Sequence, residues 1–212
     1  MILLYSVITA ACFPKMIQII IRRKEASRKK KYVLNQAYSS IDFLIDGGLL
    51  FLIFYQTLNH QKVSTSVFSI FYYTLIVLTI RIDVMYRIIP NECVLLLSLV
   101  HLFDAIKGHF FLETASSVLL MLVILLASIR ISKSFFGLTG IGAGDVKLLL
   151  AIALACSFWE LQYYLFVLAV VLLLYVLWSV VIRKRTMFDS FAMGPHLLIA
   201  FIIFSLYIKG GI

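Results

Sequence analysis

Residues 140–156 read GIGAGDVKLLLAIALAC: a glycine-rich turn, an aspartate at 145, then an unbroken apolar run. An acid beside hydrocarbon is costly, so an aspartate placed here demands a use if the run enters a membrane. Composition answers that condition. Of 212 residues, 63% are hydrophobic and only 14% charged, with a mean hydropathy of +1.05. A soluble domain is about half apolar and a quarter charged. The chain reads as one all-α polytopic membrane domain over 1–212, with a short basic loop at 22–40.

Working outward from that run, hydropathy predicts eight apolar segments, at 2–21, 41–58, 65–82, 92–107, 114–132, 146–158, 160–182 and 195–208. A spanning helix needs about 20 apolar residues, so the sixth and eighth are short. Pro14 and Lys15 interrupt the first segment. Only Trp159 and Glu160 divide the sixth from the seventh, and seven segments is the rival count.

Charge placement orients the segments. Lys and Arg number 19 against 10 Asp and Glu. The densest basic cluster, RRKEASRKKK at 22–31, directly follows the first segment. That is where cytoplasmic flanks carry positive charge and meet anionic lipid, which argues against nucleic acid as the partner. With the N-terminus outside, the inner flanks hold Arg22, Arg23, Lys24, Arg28, Lys29, Lys30 and Lys31, then Arg81 and Arg87. They also hold Arg130, Lys133, Lys147, Arg183, Lys184 and Arg185, while only Lys62, Lys107 and Lys209 fall outside. Cys12, Cys93 and Cys156 are scattered with no CxxC pair, which excludes a local zinc ribbon and disfavours a disulfide framework. Cys12 follows VITAA, faintly like a lipoprotein cleavage site. Thr9 stands where an aliphatic residue is usual and no basic residue precedes, so the first segment reads as a retained anchor.

This orientation puts RIDVMYRIIPNE (81–92) and GLTGIGAGDVK (137–147) on the same, cytoplasmic side. Taken singly, Asp145 could be a helix N-cap before VKLLL, and Asp83 could pair with Arg81 or Arg87. Taken together, two carboxylates at one membrane depth are equipment for peptide hydrolysis. Brought close, they share one proton; one accepts a proton from water while the other donates to the carbonyl oxygen and then the leaving amine. Gly142 and Gly144, lacking Cβ, are expected to permit positive φ and close approach of a substrate backbone.

Four stretches resemble the type IV prepilin peptidases, leader peptidases of the GxGD intramembrane aspartyl protease group. DVMYRIIPNE (83–92) is similar to the family's Asp followed by Ile-Pro-Asn, and GAGDVKLL (142–149) to its GxGDxKLL. FAMGPHLLIA (191–200) is a looser match to a PFGPFLALA type of run. In YSSIDFLIDGGLLF (38–51), Asp42 stands where the family has an acid. The resemblance covers roughly 38–208. It implies cleavage of prepilin-like precursors on the cytoplasmic side of the inner membrane, after a Gly that precedes an apolar helix. Asp83 and Asp145 would be the catalytic pair. Gly142, Gly144, Lys147, Pro90, Asn91 and Asp42 would bind substrate or shape the loops. No metal and no cofactor would be required. Larger relatives carry two CxxC pairs in a zinc-binding cytoplasmic insert and N-methylate the new terminus. Here that region is only RRKEASRKKKYVLNQAYSS, so neither bound zinc nor methylation is expected.

Remaining polar residues have plainer readings. Asp42 and Asp46, one helical turn apart, either pair with an arginine, line a polar crevice or hold the leader's basic residues. His101 and Asp104 read as a hydrated outer helix end. His196 reads either as approaching the aspartate pair or, more simply, as a helix-end residue, and Lys147 as either tuning the carboxylate or snorkelling to the interface. Gly47 and Gly48 permit close helix approach. The competing class is a transporter relaying protons or cations through intramembrane aspartates, which predicts carboxylates near the midplane and internal repeats; none is evident. A non-catalytic pilus-assembly partner is a third reading.

Overall fold

In a computed structural model, the structure describes residues 2–28, 38–60, 63–108, 110–136, 141–181 and 192–207. Eight helices and no strand occur among them. They are α1 (Ile2–Arg28), α2 (Ser40–His60), α3 (Val63–Tyr86), α4 (Asn91–Lys107), α5 (Phe111–Phe136), α6 (Ala143–Ala153), α7 (Phe158–Val181) and α8 (Gly194–Tyr207). Each expected apolar segment is a helix, and the count is eight rather than seven. Three are long and apolar enough to cross a bilayer by length and composition, at Leu4–Glu25, Phe111–Ser134 and Phe158–Val181.

Two boundaries differ from expectation. α1 is not interrupted at Pro14 and continues to Arg28, so residues 22–28 of the expected loop are helical. Pro14 removes its own N–H and crowds the carbonyl of residue 10. Ala10 lies on a close α1–α2 approach, where a Cβ on Gly47 would sit 3.9 Å from the Ala10 Cβ, and this packing holds the turn. Gly48 faces open space, so only Gly47 serves that approach.

The second difference lies between α6 and α7. Trp159 and Glu160 fall inside α7, and the chain breaks at 154–157. Ser157 and Glu160 start the new helix as a capping box. The Ser157 N–H donates to Glu160 Oε2 at 2.7 Å, and the Glu160 N–H reaches back to Ser157 Oγ at 3.4 Å.

The chain divides into two compact units. The first comprises 1–90 with 205–212, and its helices α1, α2 and α3 pack on one another around Phe13, Ile17, Leu50, Phe54, Tyr73 and Ile76. The Tyr5 ring meets Phe54 edge-on at 5.6 Å. The second comprises 91–204, with α6 packed on α4 and α5, and α7 on α5. Its interior holds Leu97, Leu148, Ile152, Leu161, Tyr164 and Phe201. His101 belongs to this core: it is buried and meets Phe201 edge-on at 5.8 Å, which corrects its reading as a hydrated end. An aromatic neighbour lets an imidazole pack as a ring.

Candidate active site

The second motif builds the start of α6. Gly142 is the N-cap in ordinary extended backbone, φ −70° and ψ 146°, and Gly144 lies inside the first helical turn. Neither adopts the positive φ expected of it. Gly142 is required for space instead. Asp145 is not the N-cap but stands three residues inside, and its carboxylate accepts the Gly142 backbone N–H. That is the returning half of a capping box, and it fixes the carboxylate over the N-cap. A Cβ on Gly142 would lie 2.9 Å from Asp145 Oδ2. The glycine therefore leaves room for the acid itself.

The first motif builds the turn from α3 to α4. Asp83 is buried in the last turn of α3, 5% exposed. Arg87 then takes φ 52°, and its N–H donates to the Asp83 carbonyl at 2.8 Å. A left-handed residue just past a helix end is a common way to close the final turn. For a side chain with Cβ it carries a strain that glycine would not. Such strain stands out when it lies four residues from an aspartate of this kind. Pro90 is buried immediately before α4. Lys24 of α1, also buried, donates from Nζ to the Ile89 carbonyl at 3.2 Å. That bond ties the loop in front of Pro90 to the first helix.

The two motifs meet through side chains. Lys147 Nζ donates to Asn91 Oδ1 at 3.3 Å, joining a residue two past Asp145 to the first residue of α4. Lys147 is exposed, and this bond gives it a positioning contact that snorkelling alone would not.

Arg81 is not a loop charge and not the partner of Asp83. Its Nη1 donates to Asp42 Oδ1 at 2.6 Å, its Nη2 to Asp46 Oδ1 at 2.5 Å and its Nε to both Asp46 oxygens. Asp42 Oδ2 accepts the Ser39 N–H and Oγ, each at 2.8 Å, and the Asp42 N–H returns to Ser39 Oγ. Asp46 Oδ2 also accepts the Tyr38 hydroxyl at 3.0 Å. Every carboxylate oxygen of the pair is thus engaged inside the cluster, the arginine-paired alternative for these two acids. Burial and the neighbouring Asp46 raise the Tyr38 phenol above its ordinary range, so it stays a donor.

His196 sits in the first turn of α8 with Nδ1 3.0 Å from the Ala192 carbonyl and its ring 4.2 Å from Tyr175, a helix-end placement as expected. Asp104 is half-buried near the end of α4. The rest of the basic cluster (29–37), the glycine-rich 137–140 and the basic 182–191 lie outside the described residues. Lys24, Tyr38 and Arg81 were not legible as site-shaping residues. The spacing of Asp42 and Asp46 allowed an arginine partner without naming it, and Ser39-x-x-Asp42, a capping-box pattern, is a further local signal for part of the cluster.

Comparison with curated proteins and with solved structures finds no match. The sequence pattern of the type IV leader peptidase family matches residues 69–180, more than half of the chain, and that span contains both aspartates, α4 through α6 and all but the last residue of α7. The apolar helices agree with such a membrane protein. With α6 opening on Gly142 and Asp145, and its Lys147 bonded to the Asn91 that follows Ile89-Pro90, the chain belongs to the type IV leader peptidase family.

Proposed function

We propose that this chain is a membrane aspartyl endopeptidase that removes the short basic leader from prepilin-like precursors at the cytoplasmic face. The observation that carries this reading is the Lys147–Asn91 hydrogen bond, which links the two motifs on which the chemistry depends. Asp83 and Asp145 are the catalytic pair. Each sits at the loop end of a helix, and the positive flanks assign those loops to the cytoplasm with the N-terminus outside. Arg81 drops out of that charge count because it is buried in α3, and the asymmetry survives without it.

In the hydrolytic step one carboxylate takes a proton from water as the water attacks the scissile carbonyl, while the other gives its proton to the carbonyl oxygen. As the C–N bond breaks, the first carboxyl passes the water's proton to the leaving amine and the second takes a hydroxyl proton back, which restores the pair. Asp145 is held for this by the Gly142 N–H, and the α3–α4 turn that follows Asp83 by Lys24. The eight helices enter the inner membrane, α6 reaching only part of the way across, and the precursor's apolar helix is lodged there too. Methylation of the new terminus is not part of this activity.

The test is cleavage of a precursor with a basic leader and a Gly before its apolar helix, by wild type, Asp83→Asn and Asp145→Asn. Wild type is expected to cut, and both near-isosteric variants to fold and fail. Retained cleavage of that substrate by either variant sinks the two-carboxylate mechanism.

A further inference from the structure

Helices α4, α5 and α6 of the second unit leave a groove of about 620 Å³ that the hydrolytic step does not use. Its polar end is formed by Asn91, Glu92 and Lys147, the residues next to the candidate active site. Beyond them the lining turns apolar, with Leu95, Val118, Leu150 and Leu154. From α6 come Lys147, Leu150 and Ala151, and from its C-cap Leu154, three, four and seven residues after Lys147, so the groove follows one helix face. Seven residues rise roughly 10 Å, about two helical turns.

Two features say what fits there. Ser98 and Ala151 are small and come from α4 and α6, and small residues let another helix backbone approach closely in a membrane. The polar end also carries an exposed carboxylate, Glu92, with no ion-pair partner among the described residues. Lys147 stands at the same end with its amine turned to Asn91 Oδ1, so a segment that is basic and then apolar meets Glu92 by charge and the rest of the lining by polarity.

We infer that the groove receives the first two turns of the precursor's apolar helix, directly after the cut, with the basic leader passing Glu92. This rests on the protease reading and names the substrate element its site takes. α6 then serves twice: its first turn holds Asp145, and the face behind it guides the substrate helix.

A photoreactive residue at Val118 of the full-length Asp145→Asn chain, in membranes with the uncut precursor, tests this. The expected adduct is with the precursor, within about seven residues after the Gly. The same probe at Leu119, on the adjoining exposed surface at 64% exposure, is expected to give lipid adducts. Lipid adducts alone from Val118, or precursor adducts elsewhere in its sequence, overturn the inference. Leu95→Trp in the otherwise native chain, at a 60% exposed position, fills the groove without disturbing the core. It is expected to raise KM about tenfold with kcat nearly kept; an unchanged KM overturns the inference as well. A wild type that cuts no such precursor defeats the protease reading instead, while the Val118 adduct, which needs no turnover, still decides the groove.

Discussion

Gly142 shows how much of a candidate catalytic group's placement can rest on an absent atom. Its backbone is ordinary, so a left-handed turn does not explain the glycine; the 2.9 Å from a built Cβ to Asp145 Oδ2 does. Gly142→Ala is expected to keep the fold, since alanine tolerates this φ and ψ, but to push the carboxylate off its N–H. Misplacing a catalytic group by about 1 Å can cost up to 100-fold. A fall in kcat of about 10- to 100-fold is expected, read with the same precursor in steady-state kinetics. Wild-type kcat in Gly142→Ala would show that the carboxylate's seat is not what matters. Tyr38 illustrates the same economy in reverse. With its phenol held above the ordinary range, its bond to Asp46 is complete below about pH 10 and is lost only as pH climbs beyond.

Among the elements, α2 and α3 are fastened by charge. Arg81 on α3 reaches two acids one turn apart on α2, and all three side chains are buried. Removing one member of such a set leaves a buried charge uncompensated, at a cost of about 3–5 kcal/mol. Arg81→Met is therefore expected to lower thermal stability in detergent strongly, and replacing Asp42 and Asp46 by apolar residues in the same chain to restore most of it. No destabilisation in Arg81→Met would mean the cluster is hydrated and weak. α6 makes a different point. Its 11 residues rise roughly 16 Å, about half of a 30 Å hydrocarbon core. A helix of that length does not by itself cross such a core, and Ala155 and Cys156, where it is broken, are buried in protein.

For the whole molecule, a pair of carboxylates sharing one proton titrates as a unit, with two apparent pKa values that belong to the pair. Cleavage is expected to follow a bell-shaped pH profile: activity falls on the acid side as the base is protonated and on the alkaline side as the acid loses its proton. A flat profile through the acidic and neutral range counts against the shared-proton mechanism. Much of this molecule was legible in its sequence, because hydropathy is a property of consecutive residues. The eight apolar runs became eight helices, and the motifs 83–92 and 142–149 lie where helices begin and end. Legibility ended where local rules competed. Pro14 read as a break, but packing at Ala10 and Gly47 carried α1 through it; the thin divide at Trp159 gave way to the stronger capping box begun by Ser157.

By itself the sequence determined a helical membrane protein, its element order and its two aspartate motifs, since each depends on neighbours within one or two turns. Tertiary structure alone decided which charges meet. Arg81 took Asp46, 35 residues away, rather than Asp83 beside it, and Lys24 found the Ile89 carbonyl 65 residues on. Asn91 met Lys147 across 56 residues. Those choices depend on how α1, α2 and α3, or α4 and α6, pack against each other, and helix packing brings side chains within hydrogen-bond reach regardless of their separation along the chain.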